Sequence, residues 1–134
     1  MKAVNRLQKR RFIIICLMML IAIAHLLNIG AYIEGTSYIF YASFFSDIFL
    51  TFGAYFLLCA AEITIPYLRP WAIKGFIAFI IPSIAEICQY FGIPVLGVTF
   101  DQLDYIMYAI GALSAIFVDR LVFTRFFAFW AIEK

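Results

Sequence analysis

Two carboxylates, Glu86 and Asp104, interrupt apolar runs in a chain of 134 residues that is 66% hydrophobic. Each has companions at helical spacing. Gln89 follows Glu86 by three residues. Asp104, Tyr108 and Gly111 fall at i, i+4 and i+7, with Asp101 at i−3, so all four share one stripe of a helix. Paired acids of this kind can move a proton as general acid and base, or hold a cation or the donor groups of a ligand. His25, with Asn28 three residues on, and Asp47 could join them. The chemistry of an enzyme is otherwise thin. The sequence has no HExxH, no GxSxG, no nucleophile beside a base, and one histidine where a zinc site wants more. Cys16, Cys59 and Cys88 lie within apolar runs, without a CxxC pair, and read as packing residues. The expectation is therefore a non-enzymatic protein with no catalytic residue, no metal and no cofactor.

Charged residues make up 13% of the chain, about half the share in a soluble domain. So large an apolar excess needs lipid as its solvent. Four apolar segments each approach the roughly 20 residues of a bilayer-spanning helix: about 12–29, 42–62, 71–91 and 103–123. Strands of a membrane barrel would alternate in polarity, and these segments do not. Gly30 and residues 35–37, then Pro66 and Pro70, then Gly92, Pro94 and Gly97 break the runs. The expected fold is an all-α membrane protein, a four-transmembrane-helix bundle in one domain.

The ten basic residues set its orientation. Lys2, Arg6, Lys9, Arg10 and Arg11 precede the first segment, Arg69 and Lys74 lie between the second and third, and Arg120, Arg125 and Lys134 come last. All fall on one side of the threading, and the positive-inside rule makes that side, with both termini, cytoplasmic. The expected location is the bacterial inner membrane, multi-pass. Residues 2–24 also have the shape of a signal peptide ending at Ala22-Ile23-Ala24, but the apolar run continues to Ile29, which favours a retained helix. The aromatic stretch 124–134 reads as a cytoplasmic interfacial tail. Tyr67, Trp71 and Trp130 fit an aromatic belt on that face.

Threading the helices alternately brings His25, Asp47, Glu86, Gln89, Asp104 and Tyr108 to one depth, in the outer half. A carboxylate facing lipid costs up to about 2.5–3.5 kcal/mol at mid-bilayer, so these acids should turn inward. With no Lys or Arg at that end, a bound cation or a proton must offset them. Pro82, one turn before Glu86, removes a backbone hydrogen bond and is expected to kink the third helix. Gly111 would let a neighbouring helix come close. Asn28 reads as interhelical glue, Asp101 as an N-cap, and Asp47 either as a cap of the second helix or as a bundle residue. Glu62 and Asp119, beside basic residues, read as surface pairs at the cytoplasmic edge.

The stretch from Glu86 onward resembles the VanZ-like family of small bacterial membrane proteins and its uncharacterised relatives. The resemblance rests on Glu86, Gln89, Phe100, Asp104, Tyr108 and Gly111, with Asp47 and Tyr55 as a looser upstream match. The segment 92–99 lacks the arginine such proteins often carry. Tyr108 stands where VanZ-like proteins have Asn, Ile48 where they tend to have Lys, and Thr51 or Phe52 near where they have His. The resemblance implies a link to glycopeptide and envelope-stress antibiotic resistance, without a settled biochemical activity. Four functions stay open: an outer polar site for an envelope lipid headgroup, lipid-linked ligand or small amphiphile; a structural or accessory subunit whose carboxylates fix packing; a lipid-modifying enzyme using Glu86 and Asp104; and a proton- or ion-coupled carrier, which with four short helices would need an oligomer. The partners expected are membrane lipids and a second copy or another membrane protein. Nucleic acid is not among them, because the loops are too short to form a reading domain.

Overall fold

The computed structural model describes residues 2–27, 32, 35–95 and 99–130. Asn28, Gly30, Gly97 and the last four residues of the tail lie outside them. The described residues form helices and turns, with no strand. Helix α1 spans Lys2–Leu26, α2 Thr36–Ala61, α3 Trp71–Tyr90 and α4 Gln102–Phe117. A 3₁₀ turn at Pro66–Leu68 joins α2 to α3. Past α4 the chain stays helical through a π-helical stretch, Val118–Phe123, and a last α-turn, α5, Thr124–Phe126.

Three segments are long and apolar enough to cross a membrane: Phe44–Ala61, Trp71–Tyr90 and Gln102–Phe126. The third runs past the expected end at residue 123, because the π-helical stretch continues α4 instead of ending it. Helix α1 differs more. It starts ten residues before the expected 12–29 segment, so Lys2, Arg6, Lys9, Arg10 and Arg11 are helical residues and not a leading tail. Ala, Leu, Gln, Lys and Arg dominate this stretch, and all are good helix formers. The same charges keep α1 out of the set of three apolar spans.

Helix α2 is the centre of the fold, packing against α4, α3 and α1. It begins at Thr36 behind Gly35, whose φ of 71° an ordinary side chain would resist. Asp47 is therefore well inside α2 and does not cap it. Helix α4 is capped as expected, with the Asp101 side chain accepting from Leu103 N at 2.9 Å. Helix α3 is continuous through Pro82. At the next residue, the Ser83 hydroxyl donates back to the Phe79 carbonyl at 2.8 Å. The buried core gathers Tyr55, Phe56 and Cys59 of α2 with Ile14, Ala78, Ala115 and Trp130.

Gly111 fixes the crossing of α2 and α4. A Cβ there would sit 2.0 Å from Thr51 Oγ1 and 2.2 Å from the Ile48 carbonyl oxygen. The obstacle includes backbone, so it cannot rotate away. Gly53, by contrast, faces the flexible ends of Met18 at 3.5 Å and Ile21 at 3.9 Å. In detergent, Gly111→Ala is expected to lower thermal stability, with an overpacking cost of about 1–3 kcal/mol. Gly53→Ala should leave stability unchanged or raise it by up to about 1 kcal/mol through helix propensity. Equal effects would show that the α2–α4 contact is looser than described.

Candidate functional site

The acid-rich end is built from α2, α3 and α4. Glu86 lies near the C-terminal end of α3, where the helix dipole disfavours a negative charge. It is 3% exposed and is held by donors from α4. Tyr108 OH donates to Glu86 Oε1 at 3.2 Å, and the backbone N–H of Asp101 donates to Oε2 at 3.3 Å. Asp104, in the first turn of α4, gains from the opposite end of a dipole. Its carboxyl comes within interaction range of both Asp47 on α2 and Glu86 on α3. Asp47 and Asp104 are half-buried. Thr51, one turn below Asp47 on α2, turns its hydroxyl back to the Asp47 and Ile48 carbonyls at 3.2 and 3.1 Å.

Gln89 completes this end. Its Nε2 donates to the Val95 carbonyl at 2.8 Å and so ties the chain after α3 to the helix. Its Oε1 is buried and has no hydrogen-bond partner, on a side chain 9% exposed. Among the described residues, no ion pair reaches Asp47, Glu86 or Asp104, and no three His, Cys, Asp or Glu side chains are arranged to hold a metal.

His25 keeps different company. Its Nδ1 is 3.0 Å from the Ile21 carbonyl, its Nε2 is 3.4 Å from Ser46 Oγ, and its ring lies 5.1 Å from that of Phe45. These contacts belong to the α1–α2 seam, and none is a carboxylate. The sequence-expected site residues therefore divide. Glu86, Gln89, Asp104, Tyr108 and Asp47 gather at the ends of α3 and α4 against α2, while His25 sits on the seam.

The opposite end holds a second polar group that the sequence reading placed on the surface. Glu62, just past the last residue of α2, is 2% exposed, and Asp119, in the π-helical stretch, is 5% exposed. These are buried charges, which corrects the expectation of solvated pairs. Glu62 accepts both Arg10 of α1 and Lys74 of α3. Asp119 accepts from Tyr55 OH at 2.7 Å and from Trp130 Nε1 at 2.6 Å, with Lys74 Nζ 4.0 Å away. Arg10 stacks 4.7 Å over the Trp130 ring, and Lys74 lies 5.4 Å over that of Tyr55. Trp130 is 1% exposed, so it belongs to the core and not to an aromatic belt. Tyr67 and Trp71 are exposed.

Helix ends explain why this group needs both signs. Glu62 is at a helix C-terminus and Lys74 is in a first turn, each on the unfavourable side of its own dipole. Pairing them cancels both penalties. Two signals in the sequence carried the arrangement. Tyr55, Cys59 and Glu62 form an i, i+4, i+7 stripe on α2, and Asp119 continues the Gly111–Ala115 stripe of α4.

No family model, no curated protein and no solved structure matches the chain.

The Glu62–Asp119 group is charge-balanced, with two cations against two anions. Breaking it leaves buried charges unpaired. Glu62→Gln is expected to cost about 3–5 kcal/mol in stability, read as a large fall in the unfolding midpoint in detergent. Arg69→Gln, at an exposed position, should stay within about 0.5 kcal/mol. A Glu62→Gln protein as stable as wild type would show that the buried pairs do not hold the helices.

Proposed function

We propose that this chain is a small, non-enzymatic, multi-pass membrane protein whose acid-rich end holds the cationic part of an amphiphile. An amine-bearing headgroup of an envelope lipid is the ligand class that fits best. The observation that carries the reading is the contrast between the two polar ends. Around Glu62 and Asp119, the protein supplies its own cations. Around Glu86, Asp104 and Asp47, three acids meet with no basic partner among the described residues, and the buried Gln89 Oε1 adds an acceptor without a donor. Carboxylates so placed repel one another unless a shared proton or a positive charge from outside offsets them. A ligand ammonium supplies that charge and donors for Gln89 Oε1 and the acids together.

Four helices crossing the bilayer, with both termini at the basic cytoplasmic face of a bacterial inner membrane, are part of the same proposal. The support for it is the distribution of the ten Lys and Arg residues. The VanZ-like assignment is also a proposal. Its support is that Glu86 and Tyr108, two of the residues carrying the resemblance, are hydrogen-bonded partners. An envelope-stress role would follow from retention of an envelope lipid at this end.

The test is photo-crosslinking in membranes with an amine-headgroup phospholipid carrying a photoreactive acyl chain. Labelling of wild type is expected to fall about tenfold or more in Glu86→Gln and Asp104→Asn, as for loss of a hydrogen bond to a charged group. Labelling unchanged by both substitutions, at equal protein levels, would sink the reading and leave the acids as packing devices.

A further inference from the structure

We infer that the acid-rich end reads the N–H donors of its ligand, taking a primary ammonium of the ethanolamine kind in preference to a quaternary one. The inference rests on the function proposed above and names the ligand class more closely. Glu86 and Gln89 stand three residues apart on one face of α3. The chain leading to α4 meets both. The Asp101 N–H donates to Glu86 Oε2 at 3.3 Å, and the Val95 carbonyl accepts from Gln89 Nε2 at 2.8 Å. The second bond fixes the amide. Turned over, Gln89 would set its oxygen against the Val95 oxygen, acceptor to acceptor. Oε1 is therefore the atom left buried without a donor.

The buried side-chain donors at this end are already engaged. The Tyr108 hydroxyl is given to Glu86 Oε1 at 3.2 Å. The Thr51 hydroxyl turns back to carbonyls of its own helix, and the Ser83 hydroxyl does the same to Phe79. Acceptors stay in excess: Gln89 Oε1, with lone pairs of the Glu86, Asp47 and Asp104 carboxyls. At the opposite end the chain supplies its own donors, Arg10 and Lys74 to Glu62, and Tyr55 and Trp130 to Asp119. A shortage of positive charge is met by any cation. A shortage of donors is not. A primary ammonium brings one charge and three N–H groups, enough for Gln89 Oε1 and two carboxyls together. A trimethylammonium brings the charge alone and leaves Gln89 Oε1 buried and unpaired.

Phosphatidylethanolamine carrying a photoreactive acyl chain, and its N-methyl, N,N-dimethyl and N,N,N-trimethyl derivatives, provide the probes. All four keep the positive charge, and the donors fall one at a time. Each is crosslinked to the full chain in phosphatidylglycerol vesicles. Labelling of wild type should drop along the series, about tenfold from the first member to the last, as for a buried acceptor left without its donor. Gln89→Leu should lower labelling by the ethanolamine probe and spare the trimethyl probe, which narrows the preference to about twofold. If Gln89→Leu loses helix content by circular dichroism, the series on wild type still decides. Equal labelling by all four probes, lost in Glu86→Gln and Asp104→Asn, overturns this inference and leaves the cation-binding reading standing. Labelling that neither acid substitution changes overturns both. A preference for the ethanolamine probe that a folded Gln89→Leu retains in full also overturns the inference, because Gln89 then does not read the donors.

Discussion

The Glu62 carboxylate, clasped by Arg10 and Lys74, joins three helices at one buried point. Helix α1 packs against α2 and depends on Arg10 for its polar anchor. Helix α3 enters the bundle at Lys74, three residues after its start. Tyr55, Asp119 and Trp130 extend the same group from α2 through the π-helical stretch to the folded-back end of the chain. Burying four charges is costly, and their mutual attraction is the return only while every partner is in place. The group therefore sets the register of the helices against one another. Arg10 retains two buried donors, Nε and Nη1, without acceptors, so even this network stops short of full satisfaction.

Between the two polar ends small residues line the contacts of α3 and α4. Gly111, Ala112 and Ala115 of α4 and Ala78 of α3 are buried there. Close helix approach of this kind gains packing where no hydrophobic drive separates helix from lipid. The tight α2–α4 crossing at Gly111 has a further consequence. It brings Asp47 and Asp104, which point into the same end of the bundle, within range of each other and of Glu86. An end that is short of positive charge can thus coexist with an opposite end that is locked. Strain at a site is tolerated where the surrounding structure determines it.

Much of this was legible in the sequence, for identifiable reasons. The spans of α3 and α4 begin where the apolar runs begin, since proline and an Asp cap mark them. Glu86 and Tyr108 meet because antiparallel threading of two helices puts late residues of one beside early residues of the next. Threading gives depth, however, and not rotation about the helix axis. That is why His25, at an expected depth, turns out to face Ser46 and Phe45 instead of the acids. Charges at the ends of apolar runs look like interface residues, so the burial of Glu62 and Asp119 was missed. The extension of α1 to Lys2 and the fold-back that buries Trp130 explain that burial. Both depend on tertiary contacts, which the stripe from Gly111 through Ala115 to Asp119 does not itself reveal.

The central claim is that the acids at the Glu86 end are held together against their own repulsion and not for stability. Thermal unfolding of Asp104→Asn, purified in detergent without added lipid at pH 8, tests this most directly. Replacing one of three acids that crowd one another without a basic partner should raise the midpoint relative to wild type. A midpoint that falls or does not move would contradict the account and return Asp104 to the role of a packing residue.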